Sequence, residues 1–384
     1  MPVSWLQEFF TEPLPEVGRL VELLNGLGLA VETVHEAPAA PTGVVTARVV
    51  SAEPISGSDH LLKVNALRAD GTPPVQVVCG APNVRLGMVT ALALPGATLP
   101  GLGVQVGERE MLGVASRGVL ASPRELGVYD YQGGVIALPD GLGIGLDMSE
   151  LWPAETVIEL ELTPNRADAF SLLGVARDLG AKLGLRVVHP AAGLDLGDPT
   201  LDDGLSIEIE RPDLSTRFTM RAIHGVTAAP SPVWLQRKLA HLGLRPRNNV
   251  VDVTNLATFA LGQPSHAYDA RVLTGGVIQT RMALPGERLV LLNEEELELA
   301  ADDLVIATPD GEGGSRAIGL AGVMGGLHDS VVSDTREVAL EVAHFDPVTV
   351  RRSAKRHKLI TDARTRFERG VDPNMQPATS AYVS

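Results

Sequence analysis

Val44-Val45-Thr46-Ala47-Arg48-Val49-Val50 alternates apolar and polar side chains, and Val75-Gln76-Val77-Val78 does the same further on. A period of two puts the apolar residues of a strand on one face. Turns such as Leu94-Pro95-Gly96 and Leu99-Pro100-Gly101 separate these short runs, so the segment 43–150 reads as a small β-barrel. Helices flank it. Before the barrel, Leu20, Leu23, Leu24 and Leu27 fall at helical spacing, with Gly26 and Gly28 to end the helix. After it, Leu172, Ala176, Leu179 and Leu183 share one face, Ser171 serves as N-cap and Gly184 as a left-handed stop. The two helices are expected to pair across the insertion, giving a discontinuous N-terminal domain of 1–42 plus 151–190.

Residues 187–204 are rich in Pro, Gly and Asp and lack apolar periodicity, which places a linker at 191–204 and a new domain at 205–384. Leu205-Ser206-Ile207-Glu208-Ile209-Glu210 and Phe218-Thr219-Met220-Arg221-Ala222 alternate as half-buried strands do. A helix should follow, with Ser231 at the N-cap, Pro232 at N1, the face Leu235, Leu239 and Leu242, and Gly243 after its last turn. Further strands are expected at 288–292, 304–308, 318–321 and 338–342, so the fold class is multidomain α+β.

Composition sets outer bounds. A chain of 384 residues, 45% hydrophobic, holds two or three cores, and 40 Gly and 27 Pro against 4% aromatics argue against an all-α architecture. The net charge of -15 excludes a grip on nucleic acid by general electrostatics, so any RNA contact must be local, and neither DNA nor a membrane is an expected partner. Cys79 is the sole cysteine, which rules out an internal disulfide or a cysteine-rich metal site and fits a reducing cytoplasm. The N-terminus has no signal-peptide pattern, and no run nears the roughly 20 apolar residues of a membrane span, so a cytoplasmic location is expected.

Several segments carry chemistry. Val78-Cys79-Gly80-Ala81-Pro82-Asn83-Val84-Arg85 and the stretch from Gly113 through Arg117 to Gly118 read equally as barrel corners and as RNA contacts, while Cys79 reads as a packing residue. Gly243-Leu244-Arg245-Pro246-Arg247-Asn248-Asn249-Val250-Val251-Asp252-Val253-Thr254-Asn255 leads, after a gap, into a Gly262-Gln263-Pro264 turn that presents His266. Such a density of hydrogen-bonding side chains suits a polar pocket for a small ligand, which puts a functional His266 ahead of a satisfied structural one. Gly319-Leu320-Ala321-Gly322-Val323-Met324-Gly325-Gly326 is a strand entering a glycine turn whose bare backbone can approach an oxyanion. Glu341, inside an apolar strand, either faces solvent at an edge or awaits a ligand. The basic run Arg351-Arg352-Ser353-Ala354-Lys355-Arg356-His357-Lys358 reads first as a solvated helix face, with an RNA-backbone contact as the sharper alternative.

Taken in order with Ser4-Trp5-Leu6, Thr163-Pro164-Asn165-Arg166-Ala167-Asp168 and Arg366-Phe367-Glu368-Arg369-Gly370-Val371-Asp372-Pro373, these segments resemble the N-terminal half of the bacterial phenylalanyl-tRNA synthetase β subunit. The resemblance implies an OB-type tRNA-binding barrel and an editing domain that hydrolyses tyrosine mischarged onto tRNA(Phe). It implies an α subunit as partner in an α2β2 heterotetramer, with ATP-dependent aminoacylation on α. It implies no cofactor within this chain: Mg2+ and ATP serve the full enzyme, the β-subunit Mg2+ site falling beyond residue 384. Carried onto matching positions, Thr254, Asn255, His266 and Gly322 are the catalytic candidates, Arg245, Ala321 and Glu341 bind substrate, and Lys63, Asn83, Arg85 and Arg117 contact tRNA.

The chain departs from the family at His60, where Lys is usual, and at Arg247, where an apolar residue is usual and which either alters the pocket entrance or points outward. It also ends shortly after Asp372-Pro373, where family members continue, so it reads as a fragment. A labile aminoacyl ester needs only an oriented carbonyl and a held water, with no covalent nucleophile. In this reading Ala321, Gly322 and Asn255 orient the ester, His266 holds the tRNA end or the water, and Glu341 reads the phenol hydroxyl. Two other classes compete: a free-standing tRNA-binding module, against which the acidic barrel argues, and a structural subunit, against which the polar residues 254, 255, 266 and 341 argue.

Overall fold

The computed structural model describes residues 1–198 and 204–384, so part of the expected linker, 199–203, lies outside the described residues. The chain divides into two compact units, the first made of Met1–Trp5, Thr33–Glu159 and Ala229–Asp252, the second of Leu6–Glu32, Leu160–Ala228 and Val253–Ser384. Both mix helix and strand, as the composition predicts.

The first unit is built on a five-stranded sheet in the order Val119–Leu120, Val89–Ala93, Val44–Pro54, Leu62–Leu67, Val75–Cys79. Val44–Pro54 spans both halves: its start pairs with Val89–Ala93 and its end with Leu62–Leu67, with a register shift between Val49 and Ser51. That bulge bends the strand and curls the sheet. The far edges then approach, because the Arg117 N–H donates to the Gln76 carbonyl at 2.8 Å and the Val78 N–H to Ser116 Oγ at 3.0 Å, leaving a nearly closed barrel. Val49, Val64, Ala66, Val77 and Leu92 fill its interior, alternate residues as the sequence pattern requires. The helix Val233–Ala240, read from the sequence as part of 205–384, packs in this unit through Val233 and a bond from Gln236 Nε2 to the Ala137 carbonyl at 3.0 Å. Ser231 does not cap it; Pro232 occupies the cap position, and the Ser231 hydroxyl instead donates to the buried Asp252 carboxylate at 2.5 Å.

In the second unit the helices Val17–Gly26 and Leu172–Leu183 pack together, Ser171 Oγ accepting from the Gly174 N–H and Gly184 closing the second in the left-handed region. A five-stranded sheet runs Ser206–Ile209, Val277–Met282, Leu304–Pro309, Ser315–Leu320, Met324–Gly325, with only the first pair parallel. A three-stranded antiparallel sheet places Glu337–His344 between Arg217–His224 and Ser265–Asp269. One apolar core, including Phe218, Ile278, Leu304, Ile318, Phe345 and Phe367, joins the two sheets to the helices Pro347–Arg356 and Asp362–Phe367. Among the described residues no helix is long and apolar enough to cross a membrane.

A buried ion pair locks the larger sheet. Arg281 bonds Glu287 through both terminal nitrogens at 2.7 and 2.8 Å and Ser315 Oγ at 2.8 Å, while Glu287 also accepts the backbone N–H groups of Leu284 and Ala317. Removing one partner of such a pair leaves a desolvated charge, at a cost of about 3–5 kcal/mol. Arg281→Met should destabilise this unit by that amount, read as a lowered denaturant midpoint; an unchanged midpoint would show the pair to be dispensable.

Candidate functional site

The site grows out of strand register. Ser265–Asp269 and Glu337–His344 pair antiparallel with His266 directly opposite Glu341, so both side chains leave the same face of the sheet. Tyr268, two residues beyond His266, shares that face and reaches diagonally, its hydroxyl donating to Glu341 Oε2 at 2.8 Å. The His266 and Tyr268 rings meet edge to face, centroids 4.4 Å apart. Glu341 is only 8% exposed and sits on the central strand, so the sheet-edge alternative does not apply.

Burial sets the protonation states. It pushes the Glu341 carboxyl up to about 7, opposed by the hydrogen bond from Tyr268, which favours the anion. It pushes His266 down to about 4, leaving a neutral imidazole at physiological pH, and its Nε2 is buried with no hydrogen-bond partner in the chain. The Tyr268 phenol is held well above its ordinary range by burial and by the adjacent carboxylate. The unmet imidazole nitrogen, beside a buried carboxyl held by a single hydrogen bond, can take a polar partner.

These groups line a cavity of about 250 Å³ with Asn255, Gly322 and Gly325. One glycine keeps it open: a Cβ on Gly325 would stand 2.5 Å from His266 Cε1, whereas one on Gly319 would make only ordinary contact with the Tyr268 hydroxyl at 3.6 Å. Gly322 is fixed twice over: its φ of +69° suits glycine, and a Cβ there would lie 2.8 Å from Val350 Cγ2.

Of the residues singled out from the sequence, Asn255, His266, Gly322 and Glu341 come together in this cavity. His266 arrives on a strand, not in a turn, and 249–255 is not an open polar segment but the start of the helix Asn249–Leu261. Asn248 Oδ1 starts that helix by accepting from the N–H groups of Val250 and Val251. Neighbours on a helix point about 100° apart, so Asn255 reaches the cavity while the adjacent Thr254, buried, does not line it. Asp252 takes a structural part, accepting from Ser231 and from the Arg247 N–H. Ala321 is a core residue whose N–H donates to the Leu304 carbonyl at 3.0 Å. Arg245 belongs to the first unit, its guanidinium 3.4 Å above the Tyr131 ring, and Arg247 is exposed. Gly325 lies in the glycine turn singled out from the sequence, whereas Tyr268 was missed, although its two-residue spacing from His266 is the signal of a shared strand face.

In the barrel, Asn83 is spent on structure: its amide donates to the Val135 carbonyl and accepts the Val135 N–H, at 2.8 and 2.9 Å. Lys63 pairs with Glu53 and Arg85 with Asp140, whereas Arg117 is exposed and makes no ion pair among the described residues. Cys79 is buried and burial raises its thiol, as a packing residue requires. Among the described residues no group of three or more His, Cys, Asp or Glu converges to hold a metal ion.

The Tyr268 hydrogen bond is the one contact holding the Glu341 carboxyl down. Tyr268→Phe should therefore move the Glu341 midpoint above about 7, read by carbon-13 titration of the side-chain carboxyl. A midpoint that stays or falls would show that the phenol does not stabilise the anion.

Two family models match the chain, a tRNA binding domain over residues 44–146 and a B3/4 domain over residues 214–384. Among curated proteins it is similar to the phenylalanine–tRNA ligase β subunits of Anaeromyxobacter dehalogenans, 41% identical over 97% of this chain and 46% of that one, and of Moorella thermoacetica, 40% identical over 99% and 47%. The subunit of Mesorhizobium japonicum is 39% identical over 97% of this chain and 45% of its own. The chain thus spans about half the length of the curated relatives it matches. The barrel carries the tRNA-binding match and the cavity lies inside the B3/4 match, and nearly the whole chain is similar to about half of the phenylalanine–tRNA ligase β subunit.

Proposed function

We propose that the second unit is an editing esterase that hydrolyses tyrosyl-tRNA(Phe), beside an OB-type barrel that helps to hold the tRNA. The observation that carries the reading is Glu341, a buried carboxyl in a cavity otherwise walled largely by glycine and apolar side chains. The cavity is smaller than the roughly 300–1,000 Å³ of drug-sized ligand pockets, which suits one amino-acid side chain. Tyrosine and phenylalanine differ by one hydroxyl, and shape alone cannot make a site prefer the larger, more polar ring. A carboxylate acceptor can, since a hydrogen bond to a charged group contributes roughly 1.5–3 kcal/mol.

The chemistry asks little of the protein. Water attacks the ester carbonyl, the bond to the ribose oxygen breaks, one proton of the water passes to that oxygen and the other to solvent, and the amino acid leaves as a carboxylate. His266, with a pKa near 4, is too weak a base to carry the proton far and serves by accepting a hydrogen bond from the water and orienting it. Asn255, whose side chain lines the cavity, and the backbone at Gly322 are the groups suited to the carbonyl oxygen. Ala321 is set aside as a donor because its N–H is already engaged by Leu304. In this reading ATP, Mg2+ and aminoacylation belong to the remainder of an α2β2 assembly with an α subunit.

The carboxyl reads a phenol best as an anion, so discrimination should follow its titration. The ratio of tyrosyl- to phenylalanyl-tRNA(Phe) hydrolysis should rise as pH increases through about 7 and lie roughly tenfold or more higher on the alkaline side. Glu341→Gln should flatten the profile. A ratio independent of pH in the parent chain, or a variant that keeps the rise, would remove Glu341 from specificity.

A further inference from the structure

The helix Pro347–Arg356 and the residues after it divide their charges between two flanks. Its buried side, Thr349, Val350, Ser353 and Ala354, packs into the unit, with Val350 directly behind Gly322 of the cavity. On one flank Arg356 bonds Asp302 and Asp303, His357 Nε2 bonds Asp303 at 2.7 Å, and Arg352 lies 3.8 Å from Asp302. That flank is neutralised within the unit. On the other, Arg351 and Lys355 stand one turn apart at i, i+4, and Lys358 follows just past the helix end in the left-handed region, with φ of +56°; all three are exposed and make no ion pair among the described residues. Nearby carboxylates are engaged elsewhere: Asp346 caps the helix through Thr349, Asp362 pairs with Arg366, and Glu368 pairs with Arg364.

The stripe ends at the cavity. Lys358 is followed by Leu359, the 84% exposed Ile360 and then Thr361, Asp362 and Ala363, which line the site. Three residues of chain reach at most about 11 Å, so Lys358 stands within that distance of the cavity wall. These three unpaired cations form a local positive patch in a chain of net charge -15, which elsewhere repels a polyanion. The substrate of the proposed hydrolysis is the terminus of a polyphosphate strand, and its phosphates need a local cationic track close to the ester.

We propose that Arg351, Lys355 and Lys358 bind the phosphates of the single-stranded 3′ end of aminoacyl-tRNA and deliver its terminal ester to the cavity beside Thr361. This rests on the editing reading of the same site. The partner is an RNA strand, and an anionic membrane surface, which the same charges would attract, is an outcome of the test.

The test uses the whole chain with Arg351, Lys355 and Lys358 all replaced by Gln, and Arg352→Gln as a control from the neutralised flank. Uncharged tRNA binding is measured against salt, and tyrosyl-tRNA hydrolysis is compared with hydrolysis of tyrosyl-adenosine, which carries the ester without phosphates. The triple variant should bind tRNA at least about tenfold more weakly, with the log K against log salt slope shallower by about 2, at roughly 0.7 per single-strand phosphate. Its KM for tyrosyl-tRNA should rise while kcat and tyrosyl-adenosine hydrolysis hold, and Arg352→Gln should leave the slope alone. Unchanged tRNA affinity and slope would overturn the proposal, as would equal losses on both esters or a loss confined to binding of phosphatidylserine vesicles. A parent chain that binds tRNA with this salt dependence but hydrolyses neither ester would sink the editing reading and leave the stripe standing.

Discussion

The second unit turns on one cross-strand relation, His266 facing Glu341 in the register of two antiparallel strands, with Tyr268 reaching the same carboxyl from the diagonal position. A shift of one residue in that pairing would put His266 and Tyr268 on the face opposite Glu341. The central position of Glu337–His344 protects the register, because the strand is paired on both sides. Burial then changes the chemistry of what the register assembles, raising an acid towards neutrality and making a histidine a weak base. Gly325 supplies space beside His266, Gly322 lets the backbone lie against the core, and that apolar core supplies the rigidity.

The first unit obeys a different constraint. Its sheet closes through a bulge at Val49–Ser51 and through backbone bonds that bring Arg117 and Ser116 to Gln76 and Val78. Most of its tRNA-contact candidates are tied into this framework: Asn83 clamps Val135, Lys63 pairs with Glu53 and Arg85 with Asp140. An acidic barrel with paired cations holds RNA weakly by charge. That shifts the weight of electrostatic recognition towards unpaired groups such as Arg117 and the cationic stripe of the second unit.

The alternating strands, the helix from Ser171 to Gly184 and the mixed architecture were legible because period and caps are local signals. His266, Asn255 and Glu341 were legible as polar groups out of place in their surroundings, and Gly322 as an unusual backbone. Tyr268 was not, because the residues after the Gly262-Gln263-Pro264 turn were given no strand period. Thr254 and Asn255 looked equivalent until the helix starting at Asn249 separated their directions. Ser231 looked like a cap until the buried Asp252, distant in sequence, claimed its hydroxyl. The first two misses left a local period unread, whereas the third came from a partner supplied by tertiary packing, which no local pattern announces.

The central claim is that the Glu341 carboxyl accepts the substrate's phenol hydroxyl. The most direct measurement is the carbon-13 titration of that carboxyl with a non-hydrolysable tyrosyl-adenosine amide bound, and again with the phenylalanyl amide. The tyrosyl ligand should draw the midpoint below about 7, because a donated hydrogen bond favours the anion. The phenylalanyl ligand, which excludes water without offering a donor, should leave the midpoint in place or raise it. Equal midpoints with the two ligands would contradict the account.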